Sequence, residues 1–309
     1  MCTERGVSED TDITKLCRHY MEEDKVFEQI VLKNGLASAA GLDALAAALA
    51  RYGRLRHLCL WRVPVSDAQA AGLMGWLTRD TSLQTLELMD CRLSATACAH
   101  LGSILQTNEK LTSLTLDHND IGLAGVAHLV AGLRGAEQSA LASLSLQYCG
   151  LDLRAVRELA TAMRFCRIKT LDLKGNNATA KGLAVLLQAV MRGSAVETLV
   201  LADNGIADDA EAYQTISDLL EFETLTTLDL SDNFITAQSG VELAAFLRAH
   251  KKVTKCPVPE TLDRETYKLL NTITADNLKA SKPAKGGKGK KGKKGKKGKK
   301  GKKGKKKKK

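Results

Sequence analysis

The stretch Leu111-Thr-Ser-Leu114-Thr-Leu116-Asp-His-Asn119-Asp-Ile121 decides the fold. Leucines hold positions 1, 4 and 6 of this frame, asparagine position 9 and isoleucine position 11. The alternation through Leu114 and Leu116 is that of a short strand with positions 4 and 6 turned inward. Val126, Leu129, Val130 and Leu133 then follow at helical spacing. A strand, a turn and a helix in so short a span form a unit that cannot bury its own apolar face.

The frame recurs. Its first positions are Phe27, Leu55, Leu83, Leu111, Leu141, Ile168, Val196, Leu225 and Val253, at spacings of 28, 28, 28, 30, 27, 28, 29 and 28 residues. Helical runs such as Leu42, Leu45 and Leu49, or Val241, Leu243, Ala244 and Leu247, fill the intervals, and no proline interrupts them between Pro64 and Pro257. Nine stacked units would bury one continuous core, with strands on the inner rim and helices outside. The first and last units are degenerate, as terminal units tend to be. Pro257 and Pro259 fall in the last unit and are expected to blunt its edge.

The motif LxxLxLxxN/CxL reads Leu83 to Leu93, Leu111 to Ile121 and Val196 to Ile206, with Cys91 at the asparagine place of the first. In this motif and unit length the chain resembles the leucine-rich repeat family in its ribonuclease-inhibitor-like subtype. The resemblance covers residues 27–265. It implies an α/β solenoid of about nine repeats, a horseshoe with a parallel sheet on its concave face and helices on its convex face. It implies no particular partner, because the fold hosts many functions.

The ends read differently. Residues 1–26 contain an amphipathic run over 11–25, with Ile13, Leu16, Cys17, Tyr20 and Met21 on one face, suited to capping the array. Residues 27–278 form the repeat domain, closed by a helix over 263–278 with Tyr267, Leu270, Ile273 and Leu278 as its apolar positions. Residues 279–309 hold 19 lysines and no acid, so of 46 basic residues 27 remain in 1–278 against 35 acidic ones. The body is acidic and the tail strongly basic. Lys288, Lys290, Lys291, Lys293, Lys294, Lys296 and Lys297 exemplify the Gly-Lys-Lys repeat, which is expected to be disordered and to bind a polyanion: tubulin tails, RNA or anionic lipid. The alternative is a solubilising or nuclear-targeting tail.

Eight cysteines show no CxxC pair, and the N-terminus lacks the apolar core of a signal peptide. Free thiols in the cytoplasm are expected, with a cytoskeletal or flagellar position as a refinement and the nucleus as the alternative. No nucleotide, metalloprotease or serine-hydrolase motif is present, so neither an enzyme nor a cofactor is expected. Position 9 reads Val63, Cys91, Asn119, Cys149, Asn176, Asn204 and Asn233. A donor there would satisfy turning carbonyls; redox sensing by Cys91 and Cys149 is the alternative.

Positions 3, 5 and 7 face the concave solvent and position 8 the rim. Trp61, Met89, Asp117 and Gln147 at position 7 and Arg62, Asp90, His118 and Tyr148 at position 8 form two adjacent columns. Their residue types suit a protein interface. Alternatively Trp61 packs beneath the N-terminal segment. Glu87, Asp117, Asp172 and Asp229 add an acidic lining for a basic partner or the lysine tail. The expectation is a monomeric interaction scaffold. The alternatives are a small-GTPase regulator similar to the Ran GTPase-activating protein, whose acidic C-terminal segment is the reverse of this tail, and an RNA- or ribosome-associated factor.

Overall fold

The computed structural model describes residues 28–33, 39–49, 54–78, 82–136, 139–193 and 195–282. The amphipathic run over 11–25 and nearly all of the lysine tail lie outside them.

Among the described residues eight strands form one parallel sheet in unbroken order: β1 (Gln29–Lys33), β2 (His57–Trp61), β3 (Thr85–Met89), β4 (Ser113–Thr115), β5 (Ser143–Ser145), β6 (Thr170–Asp172), β7 (Thr198–Val200) and β8 (Thr227–Asp229). Position 4 pairs with position 4 throughout, as in Leu58 with Leu86, Leu86 with Leu114 and Leu114 with Leu144. This register follows from the leucine spacing, since a slip of one residue would turn every leucine to solvent. Positions 4 and 6 are buried in all eight units, from Ile30 and Leu32 to Leu228 and Leu230. Each such leucine contributes roughly 1.5–3 kcal/mol relative to leaving it exposed.

The helices pack behind the sheet: α1 (Ala39–Leu49), α2 (Asp67–Leu77), α3 (Ala95–Thr107), α4 (Gly122–Gly135), α5 (Leu153–Ala162), α6 (Thr179–Met191), α7 (Ala210–Glu221), α8 (Ala237–Ala249) and α9 (Arg264–Ser281). Alternation of strand and helix with parallel pairing gives the expected horseshoe, strands concave and helices convex. Several helices start on a polar cap. Ser66 and Gln69 form a reciprocal capping box before α2, and Asp152, Asp209 and Asp263 accept from the first-turn amides of α5, α7 and α9. Helices α3 and α4 touch through glycine. A Cβ at Gly132 would collide with the Gly102 backbone, and one at Gly102 with the His128 carbonyl.

Three details differ from the expected pattern. Val241 lies on the outer side of α8 and is 56% exposed, while Leu243, Ala244 and Leu247 are buried. In α9 the buried place falls to Asn277 and Leu278 is exposed. The Asn277 amide donates to the carbonyls of Leu247 and Val253, both at 3.0 Å, so a polar side chain seals the C-terminal end. The ninth unit is a single bridge between Thr227 and Lys255 rather than a strand. Leu230 N donates to Pro257 O at 2.9 Å, so the face of Pro257 that lacks an N–H points toward β8. The proline therefore shortens the inner ladder and does not blunt the outer edge.

Candidate interaction surface

The concave columns are built on a turn that repeats at the ends of strands β2 to β8. At position 9 the Asn119 side chain donates to Leu88 O and Leu116 O at 2.7 Å and accepts from Cys91 N and Leu93 N at 3.0 Å. Asn176 does the same between Leu146 O, Leu173 O, Cys149 N and Leu151 N. Asn233 repeats it one unit before the end, with Leu201 O, Asn204 N and Ile206 N. Each asparagine thus sews its own turn to the preceding one, where buried carbonyls have no water to turn to.

Cys91 and Cys149 occupy the same place as donors. The Cys91 thiol points at Leu60 O (3.3 Å), and the Cys149 thiol at Leu116 O (3.3 Å). Burial pushes both thiols up to about 12. Both side chains are fully buried. A protonated, enclosed thiol is a poor nucleophile, so the geometry favours the structural role over redox sensing.

The turn forces position 8 into the left-handed region. Arg62, Asp90, His118, Tyr148, Asp203 and Asp232 have φ between 51° and 59°. In the sixth unit the same place is Gly175, with φ 69°. A side chain in this conformation costs about 1–2 kcal/mol. Strained residues of this kind persist where the surroundings hold them, and they cluster at functional sites.

These side chains form a ridge on the rim. Arg62 and Asp90 pair at 3.3 Å. His118 and Tyr148 stack with ring centroids 4.9 Å apart and planes 9° from parallel. The Tyr148 ring covers Gly175, where a Cβ would strike it. Trp61 stands beside the ridge on β2, half-buried, with Lys33 Nζ at 5.5 Å and the Arg62 guanidinium at 5.3 Å from its ring. Met89 and Gln147 are likewise half-buried at position 7. The structure therefore places Trp61, Arg62, Met89, Asp90, His118, Gln147 and Tyr148 along one continuous strip. Whether Trp61 meets the N-terminal segment lies outside the described residues.

Asp117 does not serve as an open acidic contact. It is 9% exposed. Its carboxylate accepts from Ser145 Oγ at 2.6 Å and from Gln147 N at 2.9 Å. It supports the strip from below. Asp172 accepts from Gln147 Nε2 at 2.8 Å and from Lys174 N at 3.0 Å. Burial, reinforced by the nearby Asp117 and Asp229 charges, raises its pKa above the usual carboxylate range. Glu87 faces His57 at 3.3 Å, and Asp229 accepts from Ser231. The acidic lining is thus largely committed to its own neighbours. Among the described residues no group of three His, Cys, Asp or Glu side chains is arranged to hold a metal, and no helix is long and apolar enough to cross a membrane.

The Leucine Rich repeat family pattern matches residues 107–130 and 223–244. The ribonuclease inhibitor of Sus scrofa is 31% identical over 210 residues, 67% of this chain and 45% of that protein. NACHT, LRR and PYD domains-containing protein 13 of Homo sapiens is 32% identical over 219 residues, 70% of this chain and 20% of that protein. NACHT, LRR and PYD domains-containing protein 5 of Homo sapiens is 32% identical over 192 residues, 61% of this chain. The chain spans less than half the length of these relatives. With eight parallel strands in the motif's register, asparagine and cysteine at its turns and these relatives, the chain is a leucine-rich repeat protein of the ribonuclease-inhibitor-like kind.

Proposed function

We propose that the protein is a non-enzymatic scaffold that binds a protein partner along the N-terminal half of its concave face. The position-8 ridge carries this reading. Four successive units hold Arg62, Asp90, His118 and Tyr148 in a strained conformation that glycine would adopt freely. Trp61, Arg62 and Tyr148 are of the types that dominate interface energetics. One of the relatives is named an inhibitor of another protein, which agrees in kind.

The test is affinity capture by the full chain and by a chain ending at Lys282, each with and without the pair Trp61→Ala and Tyr148→Ala. A partner kept by the shortened chain at moderate salt and lost in the double variant is the expected result. A partner indifferent to both side chains sinks the assignment.

The lysine tail is assigned the second role, holding the scaffold to an acidic polymer, with microtubules through their acidic tails as the specific candidate. Lysine and glycine without aromatics favour charge attraction over sequence reading. Co-sedimentation with intact microtubules, lost after their acidic tails are cleaved, is expected. Retention that depends on RNA and disappears with nuclease favours the RNA-associated reading instead. Accelerated GTP hydrolysis by residues 1–282 would favour the GTPase-regulator reading, for which no working residue is identified by motif.

A further inference from the structure

The edge opposite the ridge, where strands begin and helices end, carries a different chemistry. Residues 1–278 are acidic overall, yet arginines gather here across three consecutive units. Arg134 lies in the last turn of α4, Arg164 and Arg167 follow α5, and Arg192 follows α6. Among the described residues none of the four has a carboxylate at ion-pair distance. Lys169, at the start of the next strand, is by contrast held by Glu197 at 2.7 Å.

Cations near helix C-termini offset the helix dipole, and this accounts in part for Arg134, Arg164 and Arg192. It does not account for the apolar groups between them. Phe165 is 44% exposed and Met191 65% exposed. The Phe165 ring is gripped by two guanidiniums, Arg164 at 4.5 Å and Arg134 at 5.5 Å. That contact holds the ring and leaves the guanidinium edges available for bidentate carboxylate contacts.

The patch has an end. One unit further along the same edge stand Glu221 and Glu223, both exposed, with Lys252 donating to the Glu221 carbonyl. A long phosphate backbone laid along this edge would run into them. Exposed Phe, Met and Arg are enriched at protein interfaces.

We infer that the edge formed by Arg134, Arg164, Phe165, Arg167, Met191 and Arg192 is a docking site for a short acidic peptide segment of a partner protein that also carries apolar side chains. Its carboxylates meet the four arginines, and its apolar groups cover Phe165 and Met191. The site lies on the opposite edge from the ridge and is independent of the concave-face proposal.

The lysine tail of the full chain will attract any acidic peptide, so the test uses two labelled probes of equal length and equal glutamate content. One carries leucines between the glutamates, the other serines. The tail senses only charge and treats them alike. Fluorescence anisotropy with the full chain at about 0.15 M salt, where the Debye length is near 8 Å, compares them. The leucine peptide is expected to bind roughly five- to tenfold more tightly, from partial burial of its side chains. Phe165→Ser with Met191→Ser should erase that preference. Arg164→Gln with Arg192→Gln should bring the leucine peptide down to the serine level, with thermal melts confirming an intact fold. Equal binding of the two peptides by the full chain overturns the proposal. So does a preference that survives both variant pairs, or a single-stranded oligonucleotide that displaces the leucine peptide and loses binding with the same arginines.

Discussion

The turns closed by asparagine and those closed by cysteine do the same work with different means. Asn119 is donor and acceptor at once, with its amide on Leu88 O and Leu116 O and its carbonyl oxygen on Cys91 N and Leu93 N. Cys149 supplies one thiol proton, facing Leu116 O at 3.3 Å and Gln147 O at 3.4 Å, and its sulfur takes a hydrogen bond from the Asn119 amide, as that of Cys91 does from Val63. The other acceptor place passes to the main chain, where Ile121 N donates to Asn119 O and Val65 N to Cys91 O. The comparison teaches that the invariant demand comes from the buried carbonyls. The amides divide between the sulfur and the backbone where no side-chain oxygen stands.

This contrast can be broken most severely at Asn119. Asn119→Ala strands the Leu88 carbonyl and the Cys91 and Leu93 amides, each costing about 1–3 kcal/mol when unpaired with partial relief from relaxation, and leaves the Leu116 carbonyl only the Cys149 thiol. A loss of roughly 3–5 kcal/mol is expected by chemical denaturation. A loss below about 1 kcal/mol would mean the turn does not depend on the side chain. Cys149→Ala should cost less, about 1–2 kcal/mol, since one weak donor and a small volume disappear. Equal costs at the two sites would erase the distinction.

Alkaline pH probes the cysteine turns together with Cys59, Cys98, Cys166 and Cys256, which burial raises likewise, so a single substitution is needed to isolate one turn. Burial holds Cys91 and Cys149 up to about 12 against 9.0 for a free thiol. Unfolded thiols ionise first as pH rises, so the unfolded state loses protons that the folded state keeps, and stability falls between these two values. Each buried thiol should contribute on the order of 1 kcal/mol per pH unit there. A Cys149→Ser variant should show a shallower decline in its melting temperature between pH 9 and 11. An identical decline in both proteins would show that Cys149 is not among the titrating groups. The smallest effect is expected for Cys149→Asn, which imports the other solution: within about 1 kcal/mol of the parent. A larger loss would show that the cysteine turns have a backbone shape of their own.

The repeat frame was legible in the sequence because positions 1, 4 and 6 are set by burial, and burial leaves a hydrophobic pattern. Position 9 was legible as a donor for the same reason, since only a few side chains can meet a carbonyl there. Position 8 was not. Arg62 and Tyr148 do not announce a left-handed backbone, and Gly175 with Asp90, Asp203 and Asp232 were the residue types that hinted at it. Asp117 looked like an exposed acid because its period places it on the concave face. The Ser145 and Gln147 contacts that bury it come from the next unit. Asn277 and Leu278 differ by a single residue, too fine a step for helical spacing to decide. The arginine edge escaped because its members are spread over residues 134–192 and meet only through stacking.

The glycine contact between α3 and α4 sets the local radius of the arc. Strands stand about 4.8 Å apart, and helices ordinarily about 9.5 Å, in layers about 10 Å from each other. That wedge bends the chain by roughly 27° per unit. Where Gly102 and Gly132 let the helices approach to about 8 Å, the bend falls to roughly 18°. A smaller bend is expected to leave the inner surface flatter there, beneath Met89, Asp117 and His118. A partner seated on this stretch would meet a shallower floor than at a step without glycine.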